Sequence, residues 1–350
     1  MNMKININGF EIGEQCRAFI IAELSANHGH DIEIAKNTIK AAREAGADAI
    51  KIQTYTADTL TIDCDKDCFK ISGGTIWDGR TLYDLYSEAF TPWEWQRELM
   101  EYAREQGLIF FSTPFDKSAV DFLEELNVPV YKVASFEIMD IPLIEYIASK
   151  GKPIIMSTGV ASLSDIEEAI KACKRMGNDQ IILLKCTSSY PARIEDANLK
   201  TIPNMKETFG VEVGLSDHTL GITVPITSIA LGAKVIEKHF ILDKSIGGPD
   251  APFSLEPTEF RQMVDSVRDA EKSLGKIDYS MTEKKITSRM LGRSLFVVKD
   301  VKEGEVFTDV NVRSIRPNNG LAPKYLKDIL GKTAGKGIEK GTPLTWQVIK

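Results

Sequence analysis

The chain has 350 residues, of which 43% are hydrophobic and 27% are charged, and its formal net charge is −7. These values are ordinary for a globular protein and exclude a disordered or fibrous chain. The length exceeds a typical domain of about 100–200 residues, which predicts one large and one small domain, or two of middling size. The negative charge disfavours nucleic acid as a partner, because nucleic-acid binding depends on clustered Lys and Arg.

No apolar run approaches the roughly 20 residues of a membrane-spanning helix, and the segment MNMKININGF lacks the apolar core of a signal peptide. We therefore expect a cytoplasmic protein without a membrane partner. The five cysteines are scattered rather than spaced as a disulfide framework, which agrees with a reducing compartment. An acidic protein that binds an anion needs a locally basic pocket, so the positions of individual lysines are informative.

From residue 18 onward, short apolar runs alternate with longer amphipathic stretches, a pattern typical of strand–helix repeats and a parallel sheet. The eight predicted strands span residues 19–24, 49–55, 108–114, 130–135, 153–159, 181–188, 211–218 and 234–240. The first helix is well marked, since apolar residues recur at helical spacing between Asp31, a suitable N-cap, and Gly46, a suitable terminator.

Eight such strands within residues 18–240 favour an α/β fold, the (β/α)₈ TIM barrel, which takes about 250 residues. A doubly wound sheet fits less well, because the glycine-rich turn G-x-G-x-x-G of that fold is missing here. Residues 56–90, between the second and third strands, are far longer than the usual loop of about 2–6 residues. We expect this insertion to cover the mouth of the barrel.

The chain is predicted to contain a barrel domain over residues 1–274, a linker over 275–290 and a small β-rich domain over 291–350. The linker is polar and charged, and it follows a helical stretch at residues 257–274. The last region is punctuated by glycine and contains β-forming runs such as SLFVVKDV. A domain of this size is marginally stable alone, so we expect it to dock against another surface.

In a (β/α)₈ barrel, the functional side chains lie at the carboxyl ends of the strands. Two lysines and four serines at these positions are suited to hold a phosphate and a carboxylate: Lys51, Lys132, Ser135, Ser157, Ser188 and Ser216. Phosphoenolpyruvate carries both groups. A buried structural ion pair is the alternative for either lysine alone, but two lysines among several hydroxyls favour binding.

The chain has only four histidines, and two of them, His218 and His239, end the last two predicted strands. Two neutral imidazoles, with water and substrate oxygens, suit Mn²⁺, Zn²⁺ or another divalent first-row ion, but two ligands alone do not identify the metal. We expect Mn²⁺, with Mg²⁺ or Co²⁺ as alternatives. A lone histidine is usually structural, whereas a pair at matching strand ends favours ligation. His28 and His30 follow the first strand, where a solvated loop is the alternative, and we expect no role for His30.

Several motifs occur in order along the chain: IIAELSANHGHD, IKIQTY, YKVASFEI, MSTG, GLSDHT and EKHF. This ordered set resembles the sialic acid synthase family, whose members make nonulosonic acids. The segment GRSLFVVKDVKEGEVFTDVNVRSIRPNNGL resembles that family's C-terminal SAF, or antifreeze-like, domain, so the resemblance covers nearly the whole chain. Within the family, the insertion SGGTIWDGRTLYDLYSEAFTPWEW is similar to that of the pseudaminic acid synthases.

The resemblance implies a metal-dependent transferase that joins phosphoenolpyruvate to an amino-sugar aldehyde. The expected sugar is 2,4-diacetamido-2,4,6-trideoxy-L-altrose and the expected products are pseudaminic acid and phosphate, with N-acetylneuraminic or legionaminic acid as alternative products. The resemblance also implies a domain-swapped homodimer, in which the small domain of one chain closes the barrel of its partner.

The resemblance implies roles for individual residues as well. Glu23 is the expected base or orienting carboxylate, His218 and His239 are the expected metal ligands, and the lysines and serines above are expected to bind phosphoenolpyruvate. Sugar contacts are expected from Gln53, Glu137, Tyr190, Asp250 and Arg316. Members of the family commonly have Asn where this chain has Ser188, which leaves the phosphate contact there open.

Two other functions stay open on the sequence alone. A Schiff-base aldolase would also use a barrel, with Lys51, Lys132, Lys185 or Lys238 as its nucleophile. An ice-binding or glycan-binding module would account for the small domain, but it gives no role to the polar residues at the barrel strand ends.

Overall fold

The computed structural model describes residues 4–350, and the chain divides after Gly275 into two compact units. In the larger unit, a two-stranded antiparallel hairpin, β1 (Ile5–Ile7) and β2 (Phe10–Ile12), precedes the main sheet. No helix in residues 4–350 is both long enough and apolar enough to cross a membrane.

The main sheet is a closed barrel of eight parallel strands. Its strands are β3 (Phe19–Glu23), β4 (Ala49–Thr54), β5 (Ile109–Pro114), β6 (Tyr131–Val133), β7 (Ile154–Ser157), β8 (Ile181–Cys186), β9 (Glu212–Asp217) and β10 (Val235–His239). Strands adjacent in sequence pair with each other, and β10 closes the barrel on β3, with His239 beside Glu23. The predicted (β/α)₈ barrel is confirmed, with each strand at its predicted place.

Helices connect the strands of the barrel. They are α1 (Ile32–Glu44), α2 (Ala57–Leu60), α3 (Leu82–Ala89), α4 (Trp93–Glu105), α5 (Lys117–Glu125), α6 (Ile141–Ala148), α7 (Leu163–Arg175), α8 (Thr201–Phe209), α9 (Thr223–Ala230) and α10 (Pro257–Leu274). Two of them, α2 and α3, lie in the insertion at residues 56–90. The predicted cap of α1 is confirmed, because the Asp31 carboxylate accepts hydrogen bonds from the backbone N–H groups of Glu33 and Ile34. The chain then leaves α1 through Gly46, whose φ of 93° is in the left-handed region.

Side chains alternate along each strand between the barrel interior and the surrounding helices. Towards the amino ends of the strands, the interior is filled by apolar side chains, among them Phe19, Ile21, Phe111, Ile155 and Leu184. Isoleucines of the β1–β2 hairpin pack in the same cluster and extend its apolar core. Two residues further along several strands, the inward side chain becomes polar, which sets the functional layer directly above a dry apolar floor.

The smaller unit contains a helix, α11 (Glu283–Arg289), an antiparallel pair, β11 (Ser294–Val297) and β12 (Val312–Ile315), and a short helix, α12 (Leu326–Ile329). Its core is a separate apolar cluster that includes Leu295, Phe307 and Leu344. Helix α11 lies within the segment predicted to be a linker, and none of its residues is buried.

Candidate functional site

A cavity of about 380 Å³ lies at the carboxyl ends of the barrel strands. Thirteen of the predicted site residues line this one cavity: Glu23, Lys51, Gln53, Lys132, Ser135, Glu137, Ser157, Ser188, Tyr190, Ser216, His218, His239 and Asp250. The remaining one, Arg316, is an exposed residue of the smaller unit that directly follows β12. The barrel therefore brings together side chains that are spread over more than two hundred residues of sequence.

Four charged side chains form a buried cluster at the base of the cavity. Lys51 Nζ lies 2.9 Å from Glu23 Oε1 and 3.1 Å from Glu237 Oε2. Lys132 Nζ lies 3.8 Å from the other oxygen of Glu237 and donates a 2.7 Å hydrogen bond to Ser157 Oγ. All four charged side chains are at most 4% exposed, so they depend on each other rather than on water for their solvation.

This mutual dependence is visible in the pKa values. Burial alone would raise the pKa of Glu23, but Lys51 and His239 hold it well below its usual range. Burial alone would lower the pKa of Lys51, but Glu23 and Glu237 raise it. Lys132 differs, since burial lowers its pKa and the more distant Glu237 only partly offsets that effect. The cluster thus contains one firmly charged ammonium and one that gains from the arrival of an anion.

Hydroxyl groups surround the two lysines. Ser216 Oγ donates to Glu237 Oε1 at 2.9 Å, and the backbone N–H of Gly159 donates to Ser135 Oγ at 3.1 Å. A Cβ atom at Gly159 would lie 2.1 Å from Ser188 Oγ and 2.9 Å from Ser135 Oγ, so only glycine leaves the space between these hydroxyls open. The result is a cradle of small polar donors that suits the oxygens of a phosphate.

The two predicted metal-binding histidines lie side by side, with ring centroids 5.3 Å apart. His218 Nδ1 lies 3.1 Å from the carbonyl oxygen of Thr187, which can only accept, so Nδ1 carries a proton. Burial alone would lower the pKa of His218, but Cys186 and the Thr187 carbonyl raise it. His239 Nε2 lies 3.4 Å from Glu23 Oε2, while its buried Nδ1 has no hydrogen-bond partner within residues 4–350. Burial lowers the pKa of His239, which favours the neutral imidazole.

The two imidazoles alone would not complete the coordination of a metal ion. Among residues 4–350, no group of three or more His, Cys, Asp or Glu side chains is placed to hold a metal ion. A carboxylate oxygen of Asp250 lies 3.6 Å from His239 Nδ1, within the same cavity. An ion held here would therefore take further ligands from water or substrate.

Two of the lysines considered for Schiff-base chemistry lie outside the cavity lining. Lys185 Nζ donates to the carbonyl oxygen of Cys186 at 2.6 Å and to Thr187 Oγ1 at 3.3 Å. Lys238 is completely buried and pairs with Asp217 and the carbonyl oxygen of Thr219. Neither lysine is therefore a nucleophile of this cavity, because both alternate with the inward-facing residues of β8 and β10 and so point out of the barrel.

His28 and His30 also lie outside the cavity lining, but His28 is not in a solvated loop. It is completely buried, its Nδ1 accepts a hydrogen bond from the backbone N–H of His30, and burial lowers its pKa to about 4. His30 Nε2 donates to the carbonyl oxygen of Glu88 at 2.6 Å. The two rings therefore join the loop after β3 to the end of the insertion.

The insertion at residues 56–90 lines the cavity through eight residues: Leu60, Ile71, Thr75, Trp77, Leu82, Leu85, Tyr86 and Ala89. The expectation that it covers the barrel mouth is thereby confirmed. Trp77 packs against Tyr190, with ring centroids 5.4 Å apart, and Tyr190 packs in turn against His218 at 4.4 Å. The insertion thus continues into the polar part of the site through stacked rings.

Two inward-facing residues were missed by the sequence analysis, although strand alternation points to both. Glu237 precedes His239 by two residues in β10 and therefore shares its inward face. Cys186 follows Leu184 by two residues in β8, and its Sγ lies 3.7 Å from both Ser188 Oγ and His218 Nδ1. Burial alone would raise the pKa of Cys186, but His218 and the neighbouring hydroxyls lower it to about 7.

Buried lysines, hydroxyls and paired imidazoles at the mouth of a TIM barrel define a class of enzyme site that binds small anionic substrates. The sequence matches the NeuB family over residues 38–279 and the SAF domain over residues 292–350. The chain belongs to the NeuB family, and the resemblance to the sialic acid synthases is confirmed.

The relatives include two bacterial pseudaminic acid synthases. The chain is 50% identical to the enzyme of Campylobacter jejuni subsp. jejuni serotype O:23/36 (strain 81-176), over 94% of this chain and 95% of that protein. It is 47% identical to the enzyme of Helicobacter pylori (strain ATCC 700392 / 26695), over 93% and 96% respectively. Among solved structures, the N-acetylneuraminic acid synthetase of Leptospira borgpetersenii serovar Hardjo-bovis, in complex with citrate, matches with a TM-score of 0.73 and 33% identity, covering 82% of this chain and 95% of that one.

Glu137 yields a prediction about pH. Burial raises its pKa from 4.5 to about 7, so the folded barrel keeps a proton that the unfolded chain releases at lower pH. The contribution of Glu137 to the stability of the fold is fully present below its pKa in the unfolded chain. It is lost as the pH rises through its pKa in the folded protein. We expect the free energy of unfolding in urea to fall more steeply between about pH 5 and pH 8 in the wild type than in Glu137→Gln.

Glu168→Gln, at an exposed position of α7, is the matched control and should keep the wild-type slope. Equal slopes in the wild type and Glu137→Gln would contradict a buried, protonated Glu137.

Proposed function

We propose that this chain condenses phosphoenolpyruvate with 2,4-diacetamido-2,4,6-trideoxy-L-altrose to give pseudaminic acid and phosphate. The observation that carries the proposal is the joint presence, in one cavity, of an anion site built on Lys51 and Lys132 and a pair of imidazoles, His218 and His239. The identity of 50% to a protein that is itself a pseudaminic acid synthase, over nearly the full length of both chains, supports the choice of product.

Phosphoenolpyruvate fits the base of the cavity. Lys51, Lys132, Ser135, Ser157 and Ser216 would bind its carboxylate and phosphate, with Ser188 beside the cradle that Gly159 leaves open. The lowered pKa of Lys132 supports this placement, because an anion beside that amine favours its charged form.

The charges of the cavity support a bound divalent cation. Lys51 and Lys132 are already balanced by the carboxylates of Glu23 and Glu237, and Asp250 adds a further carboxylate to the lining. A substrate with a carboxylate and a phosphate would therefore enter a site without net positive charge, which is costly away from water. A divalent ion, Mn²⁺ by preference, would supply the missing charge.

The histidines fit such an ion. The Nδ1–H of His218 is fixed by the Thr187 carbonyl, the usual outer contact of a metal-binding imidazole, which leaves Nε2 free to ligate. His239 has the neutral form that ligation requires and a buried ring nitrogen without a hydrogen-bond partner among the described residues. When bound, the ion would act as a Lewis acid on the sugar aldehyde.

The remaining steps follow from the protein groups. Lys51 and Lys132 would hold phosphoenolpyruvate so that its C3 attacks the aldehyde carbon and forms the new C–C bond. Water then adds to C2, and the carboxylate of Glu23, at the base of the cavity, would accept the proton from that water. The aldehyde oxygen gains a proton, which balances the one lost by the water, and phosphate leaves by cleavage of the C2–O bond. Phosphoenolpyruvate, aldehyde and water thus give the sugar acid and phosphate.

The sugar would lie above phosphoenolpyruvate, against Gln53, Glu137, Tyr190 and Asp250. Glu137, with its raised pKa, can donate a hydrogen bond to a sugar oxygen as well as accept one. Lys51 is held in its charged form and is not a nucleophile, so a Schiff-base mechanism in this cavity would have to use Lys132, whose pKa burial lowers.

A homodimer is part of the proposal. Apolar side chains are exposed on the segments that follow β6, β7, β8 and β9: Phe136, Met139, Leu163, Ile194 and Leu220. An exposed apolar rim around a binding cavity favours a covering partner, and the small domain of a second copy is the partner we propose. Its Arg316 would then reach the sugar. A cytoplasmic location is proposed as well, since the cysteines of the described chain are free and Cys186 lies in the site.

The central test is an assay of phosphate release from phosphoenolpyruvate with a panel of 2-acetamido and 2,4-diacetamido hexoses. We expect turnover with the 6-deoxy diacetamido altrose, and mass spectrometry and NMR should identify the product as pseudaminic acid. Legionaminic or N-acetylneuraminic acid as the main product would overturn the substrate assignment. Inactivation by borohydride in the presence of pyruvate would instead indicate a Schiff base.

A chelator should abolish turnover, and added Mn²⁺ should restore it, because two imidazoles hold an ion weakly. His218→Ala should lower the affinity for Mn²⁺, measured by electron paramagnetic resonance. Loss of a residue that only contacts a metal ligand lowers metal affinity about 10–100-fold, and loss of the ligand itself should lower it at least as much. His30→Ala, outside the cavity, is the control and should bind Mn²⁺ like the wild type. Full activity of metal-free protein would remove the ion from the mechanism.

Mixed dimers test the proposed domain exchange. Arg316→Ala and His239→Ala should each be nearly inactive, but their heterodimer has one composite site with His239 from one chain and Arg316 from the other. Separately tagged, coexpressed chains purified as the heterodimer should therefore regain substantial activity. No recovery would favour action of Arg316 on its own barrel, and a fully active Arg316→Ala homodimer would remove this residue from the site.

A further inference from the structure

We propose that the insertion at residues 56–90 is the specificity wall of the cavity, which accepts the methyl groups of a 6-deoxy diacetamido sugar and disfavours a hydroxyl at C6. Ile71, Leu82 and Trp77 are the specificity-determining residues. The proposal rests on the proposed function of the same cavity and extends it to the choice among related sugars.

The cavity is chemically divided. Every charged side chain that lines it comes from the barrel strands and their short loops, whereas the insertion contributes no charged side chain. Of the eight insertion residues in the lining, only Thr75, Trp77 and Tyr86 carry a polar side-chain group, and the indole N–H of Trp77 donates to the carbonyl oxygen of Pro249. The base is therefore suited to the anionic substrate, and the insertion is suited to the apolar end of the sugar.

The wall is a structured element rather than an open loop. Lys70 and Thr81 form an antiparallel bridge. Next to this bridge, the backbone N–H of Ile71 donates to the carbonyl oxygen of Arg80 at 2.9 Å. The backbone N–H of Gly79 donates to the carbonyl oxygen of Ile71, also at 2.9 Å. Ile71 is thus fixed by two backbone hydrogen bonds. A side chain held in this way can discriminate between substrates by shape and polarity.

Asp78 organises the tip of this element. Its carboxylate accepts hydrogen bonds from the backbone N–H groups of Gly73, Gly74 and Thr75, at 3.2, 2.8 and 2.9 Å. Together with a bond from the Thr75 hydroxyl, these contacts lower the pKa of Asp78 to about 2. The Asp78 carboxylate is therefore ionised at all ordinary pH values and stabilises the turn that carries Trp77.

Trp77 connects the wall to the reacting end of the site. Its indole Nε1–H donates to the carbonyl oxygen of Pro249 at 3.2 Å, next to Asp250, and its ring packs on Tyr190. Both neighbours also line the cavity. A sugar that contacts Tyr190 and Asp250 must therefore lie beside Trp77, and a hydroxyl placed against this surface would lose its hydrogen bonds to water without finding a partner.

The experiment compares matched pairs of variants on two sugars, 2,4-diacetamido-2,4,6-trideoxy-L-altrose and its 6-hydroxy counterpart. Ile71→Val and Ile71→Thr have the same shape and differ only in polarity. A methyl group in an apolar pocket contributes about 10–200-fold to discrimination, so Ile71→Thr should lower the preference for the 6-deoxy sugar, as a ratio of kcat/KM values, by about 10-fold relative to Ile71→Val.

Trp77→Phe and Trp77→Ala form the second pair. Together they distinguish the contribution of the aromatic ring from that of the hydrogen bond made by the indole N–H. Trp77→Phe keeps an aromatic face and should keep the preference, whereas Trp77→Ala should lose it. The KM for phosphoenolpyruvate should stay unchanged in all four variants, a result that a general loss of structure would not give. Thermal unfolding midpoints identify any variant that fails to fold. If one pair contains such a variant, the sugar preference of the other pair tests the proposal.

Unchanged preference in the folded variants, with an active wild type, would overturn the specificity wall and leave the proposed function intact. A wild type that turns over neither sugar would overturn the proposed function and this inference with it.

Discussion

The site depends on a single electrostatic constraint: four charged side chains must stay in the barrel interior with almost no water. Lys51, Lys132, Glu23 and Glu237 come from four different strands, so their distances are set by strand pairing rather than by loops. Removing one partner of a buried ion pair typically costs about 3–5 kcal/mol, because the remaining charge is left uncompensated. The closed sheet, which fixes all four at once, is what makes such a cluster tolerable.

The same constraint explains the layers below and above it. The apolar floor formed by residues such as Ile21, Phe111 and Leu184 adjoins the cluster. A dry floor strengthens the ion pairs and limits the motion of the lysines. Above the cluster, the imidazoles and small hydroxyls are pre-positioned by outer contacts such as that of His218 with the Thr187 carbonyl. Little rearrangement is then needed when an anion binds.

The sequence predicted most of this arrangement because parallel strands carry their carboxyl ends to one edge. The eight strands, the cap of α1 and the lysines, serines and histidines of the cavity follow from that rule and from local patterns. The roles of Glu23, Gln53, Glu137, Tyr190 and Asp250 were expected from the family resemblance. The strand-end rule alone does not separate Lys185 and Lys238, which lie outside the cavity, from Glu237 and Cys186, which line it; the inward–outward alternation along β8 and β10 does. The contribution of the insertion could not be read in detail, since the placement of Ile71 and Trp77 depends on the Asp78 turn and on contacts with Pro249, far along the chain.

The continuity of the insertion along the chain has an evolutionary consequence. The charged base is assembled from strands throughout the barrel, so any change there must be compensated at distant positions in the sequence. The apolar wall, in contrast, is one uninterrupted stretch that leaves the barrel after β4 and returns before α4, where the Trp93 indole N–H donates to the carbonyl oxygen of Tyr55 at 3.1 Å. A gene segment of this kind can diverge, or be exchanged by recombination, while the chemistry beneath it is inherited unchanged. Members of the family could therefore change their sugar specificity through substitutions confined to this one segment.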